Sequence, residues 1–101
     1  MPLVPEDEGG RIARLVRITG NVQGVFYRGW TRDEAVARGL KGWVRNRRDG
    51  SVEALFAGPA LPVQEMINAC REGPPAAQVF EVEAEAADAP DIAAFELRPT
   101  A

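Results

Sequence analysis

Two stretches of this chain carry residue types able to act on a ligand. The first, Gly20-Asn21-Val22-Gln23-Gly24-Val25-Phe26-Tyr27-Arg28, joins a strand-like run to a helix-like run and is punctuated by two glycines. Such a junction presents backbone N–H groups that have no partner inside the helix, together with the positive end of the helix dipole. Glycines there let the backbone approach an anion closely. Arg28 adds a planar donor fork that grips two phosphate oxygens at once. The second stretch is Asn46, flanked by Arg45, Arg47 and Arg48 just ahead of an Asp49-Gly50 pair. Its amide offers donors and an acceptor, enough to orient a water molecule without removing its proton. Spacing alone leaves both readings open. The loop lacks the Gly-Lys-Ser/Thr ending of a P-loop and the G-x-G-x-x-G of a dinucleotide site. Its glycines would equally serve a tight turn, Arg28 a surface charge, and Asn46 a turn-side position among solvated arginines.

The rest of the composition narrows the chemistry. The chain has 101 residues, 46% hydrophobic and 27% charged, with one cysteine and no histidine. That length supports one core and no second domain, and a single cysteine rules out an internal disulfide. Missing histidine removes the commonest general base, the Ser-His and Cys-His nucleophile pairs and the usual zinc ligand. Charge is unevenly spread: residues 11–48 carry a net +8 and residues 49–101 a net −8. An anionic ligand should therefore meet the first half. The alternative is ordinary cross-strand pairing, with Arg17 opposite Glu81 or Glu83.

The elements that must position these residues follow from periodicity. Residues 11–19 read as a strand ending at Gly20, and about 27–38 as a helix stopped by Gly39. Residues 43–47 and 52–57 are short strands joined by Arg48-Asp49-Gly50-Ser51, a hairpin signal. Val63, Met66, Ile67 and Cys70 recur at i, i+3, i+4, i+7 between Pro59/Pro62 and Gly73-Pro74-Pro75, which marks a second helix. Phe80, Val82, Ala84 and Ala86 alternate with Glu81, Glu83 and Glu85, the pattern of a strand with one buried face. Residues 95–98 form a possible short fifth strand. The resulting order, βαββαβ, is the α+β arrangement of a ferredoxin-like α/β sandwich, with two helices on one face of an antiparallel sheet. Residues 1–10, with two prolines, two glycines and three acids, read as a flexible tail ahead of a domain over 11–101. No run approaches the ~20 apolar residues of a membrane span, and the start has no basic region followed by an apolar stretch, which suits a cytoplasmic chain.

The loop ending in Arg28, followed by Gly42-Trp43-Val44-Arg45-Asn46, Asp49-Gly50-Ser51-Val52-Glu53 and Gly58, resembles both signatures of the acylphosphatases. The resemblance runs from Arg14 to Arg98 and takes in Gly39-Leu40 and Gly73-Pro74. It implies the ferredoxin-like sandwich and an enzyme that hydrolyses acyl phosphates to a carboxylate and inorganic phosphate. By that resemblance Arg28 binds the phosphoryl group, helped by backbone amides of Val22, Gln23, Gly24, Val25, Phe26, Tyr27 and Arg28, and Asn46 positions the attacking water. Phosphoryl transfer asks for little beyond placement and charge stabilisation. The carboxylate leaving group, with a conjugate-acid pKa of about 4 to 5, needs no general acid, and a substrate phosphate oxygen is a sufficient proton acceptor. With no carboxylates clustered beside the two motifs, neither a metal nor another cofactor is expected.

Other residues read as structural. Cys70 sits on the apolar stripe of the second helix, Trp30 and Trp43 are packing residues, and Glu81, Glu83 and Glu85 form a solvated strand face. Arg47 stands where some relatives have a hydroxyl, and the ending Arg98-Pro99-Thr100-Ala101 departs from the aromatic ending of animal members, so no role is carried to either. Two other functions compete. Similar domains fused to hydrogenase-maturation carbamoyltransferases bind phosphate compounds, although this length suits a free-standing domain. Ferredoxin-like sheets also bind RNA, but an acidic pI near 4.9 and unpaired aromatics argue against nucleic acid. The expected partner is a small-molecule acyl phosphate, with no membrane, and the chain is expected to act as a monomer.

Overall fold

The computed structural model describes residues 10–101. Residues 1–9, and with them most of the expected flexible tail, lie outside the described residues. The elements run β1 (Arg11–Asn21), α1 (Tyr27–Ala37), β2 (Lys41–Asn46), β3 (Val52–Pro59), α2 (Ala60–Cys70), β4 (Gln78–Ala86) and β5 (Phe95–Leu97). They form one five-stranded sheet in the order β4-β1-β3-β2-β5. Both helices pack on the same side: α1 lies against β2 and β5, α2 against β1 and β3.

Local chemistry accounts for the helices. The second begins directly after Pro59, and its own Pro62 falls in the first turn, where a missing N–H costs no helical hydrogen bond. Its stripe of Val63, Met66, Ile67 and Cys70 is buried. From α1 the line Tyr27, Thr31, Ala35 enters the same core, meeting Val16, Ile18, Val44, Val52, Ala54 and Phe56 of the sheet. Tyr27 and Trp30 meet edge to face with centroids 5.3 Å apart, so Trp30 is indeed a packing residue.

The expected hairpin joins β2 to β3. Arg47 N–H donates to Ser51 O at 2.8 Å, Gly50 N–H to Arg47 O at 3.1 Å, and Gly50 takes the positive φ of 97° that such a turn needs. The Asp49 carboxylate accepts from the Ser51 hydroxyl and N–H, which closes the turn from inside and holds Asp49 below the usual carboxylate range.

Three expectations about the sheet need correction. It is mixed rather than wholly antiparallel: β5 pairs parallel to β2, with Gly42 opposite Phe95 and Val44 opposite Leu97. The chain crosses from the β4 edge to the opposite edge before β5, and there the Phe95 ring stacks on Phe56 at 5.7 Å. In β4 the even-numbered residues do not form a buried face. A register shift opposite Thr19/Gly20 leaves Phe80 as an extra residue, 70% exposed, while Val79 and Val82 pack against the core and Ala84 and Ala86 are exposed. Arg17 does lie opposite Glu83, but its guanidinium pairs with Asp49 of the hairpin instead. Glu81, Glu83 and Glu85 are exposed, as a solvated face requires. On that open face Trp43 lies between the guanidinium groups of Arg45 and Arg98, at 4.7 and 5.1 Å from its centroid.

Candidate active site

The loop between β1 and α1 is built to leave its amides free. Gly24 adopts φ 76°, and Phe26, at the N-cap of α1, adopts φ 65° and ψ 27°, a left-handed conformation uncommon outside glycine. No side chain caps the helix, and its first turn holds no acidic residue. The first helical N–H to find a backbone acceptor is that of Trp30, bonded to Phe26 O at 3.0 Å. Among the described residues the N–H groups from Gln23 to Gly29 therefore have no backbone acceptor. These are the donors a helix N-terminus offers to an anion.

Arg28 stands in that same first turn, where the helix dipole is already positive and a carboxylate would be the stabilising choice. Arg32, Arg38, Arg45, Arg47 and Arg98 each meet a carboxylate, as does Arg17. Arg28 is half-buried and has no carboxylate partner among the described residues; among those residues its one side-chain hydrogen bond is a long one, 3.4 Å, from Nη1 to Arg98 O. An anion bound beside it would supply the counter-charge that neither the helix dipole nor a neighbouring carboxylate gives Arg28.

Asn46 ends β2 on the side of the sheet that faces the helices, and it joins Arg28 in one cleft of about 300 Å³. Val22, Gly24, Phe26, Tyr27 and Leu97 also line that cleft. Of the seven loop residues expected to bind phosphate, Gln23 and Val25 are not in the wall. Val25 packs against the core, and Gln23 turns its amide away to the hairpin, donating to Arg47 O at 2.7 Å and to Ser51 O at 2.9 Å. Gln23 thus ties the loop that carries Arg28 to the turn that follows Asn46. Tyr27 contributes to the wall, but its hydroxyl points inward and donates to Cys70 O at 2.6 Å, anchoring α1 to α2.

A second brace comes from the chain's last residues. Arg98 N–H bonds Val44 O at 2.9 Å, Ala101 N–H bonds Asn46 O at 3.0 Å, and Arg48 N–H bonds Ala101 O at 3.1 Å. The segment therefore holds the backbone on both sides of Asn46 while Arg98 O receives Arg28. Nothing in its residue types marks it, because every one of these contacts uses main-chain atoms.

Two larger hollows lie elsewhere, about 580 Å³ near the start of β1 and about 410 Å³ over Leu15, Arg17 and Glu53 on the open face. Both mix acidic and basic side chains, and neither includes Arg28 or Asn46. The smaller cleft is the one that brings an uncompensated cation, free amides and an asparagine together.

The sequence matches the acylphosphatase family over residues 14–97. The chain belongs to the acylphosphatase family. It is 55% identical over 86 residues to an acylphosphatase of Rhodospirillum rubrum, covering 85% of this chain and 94% of that protein. Its fold matches the structure of an acylphosphatase from Coxiella burnetii with a TM-score of 0.86 and 34% identity, over 90% of this chain and 96% of that one. It also matches part of full-length HypF, solved in its phosphate- and nucleotide-bound form, with a TM-score of 0.81 and 25% identity; the match spans 89% of this chain but 12% of that one. Like the acylphosphatases it resembles in sequence and fold, this chain is a hydrolase of acyl phosphates with a small-molecule substrate. No helix among the described residues is long and apolar enough to cross a membrane.

Cys70 is buried in the acylphosphatase core as expected. Burial pushes its thiol up to about 12, and burial likewise raises the Tyr27 phenol above its ordinary value. Both stay protonated at neutral pH, which keeps Cys70 a packing residue and not a nucleophile.

Proposed function

We propose that the cleft hydrolyses acyl phosphates by placement and charge, with Arg28 and the loop amides gripping the phosphoryl group and Asn46 orienting the water. The observation that carries this reading is Arg28: half-buried, without a carboxylate partner among the described residues, in the first turn of a helix that has no acid to offset it. In the reaction the water oxygen bonds to phosphorus as the bond from phosphorus to the acyl oxygen breaks. The carboxylate leaves with the electron pair, and the water's proton passes to a phosphoryl oxygen of the substrate. The Arg28 guanidinium and the N–H groups of the loop residues that line the cleft, Val22, Gly24, Phe26, Tyr27 and Arg28, stabilise the negative charge spread over the equatorial oxygens. The Asn46 amide accepts from the water and fixes its line of approach.

Imidazole is unnecessary in this scheme because the leaving carboxylate is a weak base, of conjugate-acid pKa about 4 to 5. No metal is invoked either, since the wall supplies cationic and N–H donors and, among the described residues, no carboxylate to hold a magnesium ion. We read residues 11–101 as a single domain that acts as a cytoplasmic monomer, a reading supported by a core closed within one chain and a single buried, free cysteine. The test is phosphate release from benzoyl phosphate in the presence of EDTA, run beside a simple phosphomonoester. Turnover of the acyl phosphate alone is expected. Phosphate binding without turnover would instead favour a purely phosphate-binding domain, and activity lost to EDTA would refute the metal-free scheme.

A further inference from the structure

Part of the cleft's lining is apolar in a way that phosphate binding does not explain. Phe26 is 68% exposed and Leu97 is 43% exposed, and these two large hydrophobic side chains, from the N-cap of α1 and from β5, both line the same cleft as Arg28 and Asn46. Phe26 is held there against its preferences. Its backbone is left-handed, and a Cβ on Gly29 would overlap its ring, so the glycine one turn ahead seats the ring on the helix shoulder. A small polar residue such as asparagine would fit that backbone with less strain, and the exposed ring gains nothing for the core. An exposed apolar pair in a cleft that also holds Arg28 and free amides points to a ligand with both an anionic and an apolar part.

We infer that Phe26 and Leu97 form the acyl subsite, and that they make this enzyme prefer acyl phosphates with apolar acyl groups. The inference rests on the phosphoryl-binding role proposed for Arg28. With the phosphoryl group held by Arg28 and the loop amides, the acyl chain of the same substrate extends across the anhydride oxygen, onto the cleft rim. The competing feature on that rim is Arg32, which would draw an acyl group bearing a carboxylate. Its guanidinium already meets Asp33, with Nη2 3.3 Å from Oδ1, so its charge is matched where the apolar pair is not.

The experiment compares kcat/KM for benzoyl phosphate, acetyl phosphate and succinyl phosphate in the native chain and in the variants Phe26→Asn and Leu97→Ser. Asparagine tolerates the left-handed conformation, and Leu97 lies outside the loop, so the two variants perturb the rim by independent routes. Covering roughly 55 Å² of apolar ligand surface is worth about tenfold in kcat/KM. The benzoyl-to-acetyl ratio is therefore expected to fall about tenfold in each variant. Comparing ratios between variants cancels the different intrinsic reactivities of the two substrates. A ratio unmoved in either variant overturns the inference, as does succinyl phosphate proving the best of the three. Failure of the native chain to hydrolyse any of them refutes the hydrolytic reading itself, and the acyl subsite with it.

Discussion

Replacing Gln23 is a sharp way to ask whether rate depends on the mutual placement of two segments. Its two amide hydrogens go to the carbonyls of Arg47 and Ser51, at 2.7 and 2.9 Å, and thereby pin the phosphate loop to the hairpin beside Asn46. Gln23→Ala removes both bonds without touching any group proposed to contact substrate. At about 1 kcal/mol per amide–carbonyl bond, the loss is about 2 kcal/mol of stability. For a domain of this size that lowers Tm by roughly 10 °C. The kinetic effect should exceed what lost folding explains, because a displacement of about 1 Å in a placed group can cost up to roughly a hundredfold in rate. We expect kcat for benzoyl phosphate to fall at least tenfold at a temperature where thermal melts show the variant fully folded. Gln23→Glu should be no better, since its carboxylate would face two carbonyl oxygens with no hydrogen to share. If Gln23→Ala keeps kcat/KM within twofold of the native value, the loop and hairpin do not need this tie and the positional argument fails.

Deleting residues 98–101 removes the bonds to Val44 O and Asn46 O, the acceptor for Arg48 N–H and the carbonyl that receives Arg28. It should cost about 1–3 kcal/mol in urea titrations and lower kcat several-fold; native-like activity would show the brace is dispensable. Alkaline pH should also destabilise the fold. Cys70 and Tyr27 are neutral in both states at pH 7, but above about pH 9 the unfolded thiol, and then the phenol, lose protons that the folded state keeps. The unfolded state then binds fewer protons, so stability falls as pH rises, with a limiting slope of about 1.4 kcal/mol per pH unit for each group. For the thiol that loss continues up to about 12. Cys70→Ala should flatten part of this slope in melts taken between pH 8 and 11, and an unchanged slope would remove Cys70 from the account.

The elements that were legible in the sequence are those whose signal is local. Asp49-Gly50 announces its turn because Gly50 takes a positive φ of 97° that few other residues adopt and Asp49 closes the turn with its side chain, and Val63, Met66, Ile67 and Cys70 announce α2 because one helix face must be dry. Arg28 and Asn46 were nominated by residue type and loop position, and the fold brings both to one cleft. What the pattern missed depends on partners distant in sequence. Phe80 looked buried because its alternation was intact; the bulge that turns it outward arises in the pairing with Thr19 and Gly20. Arg17 lies opposite Glu83 in the sheet but pairs with Asp49 of the hairpin, a partner 32 residues away in sequence. The braces from Gln23 and from Arg98 to Ala101 end on carbonyl oxygens, which every residue has and no motif can mark. The left-handed turn at Phe26 is likewise invisible, since phenylalanine is among the last residues one would place there.

In the proposed mechanism Arg28 binds and Asn46 aligns, and a single set of kinetics separates the two roles. Phosphate release from benzoyl phosphate, with inorganic phosphate as competitive inhibitor, should be measured for the native chain, Arg28→Ala and Asn46→Ala. Arg28→Ala is expected to lose about 3 kcal/mol of transition-state stabilisation, roughly a hundredfold or more in rate, and to bind phosphate poorly. Asn46→Ala is expected to lose kcat by a similar order while its inhibition by phosphate stays near native. Wild-type kcat in Asn46→Ala, or native phosphate affinity in Arg28→Ala, would contradict the account.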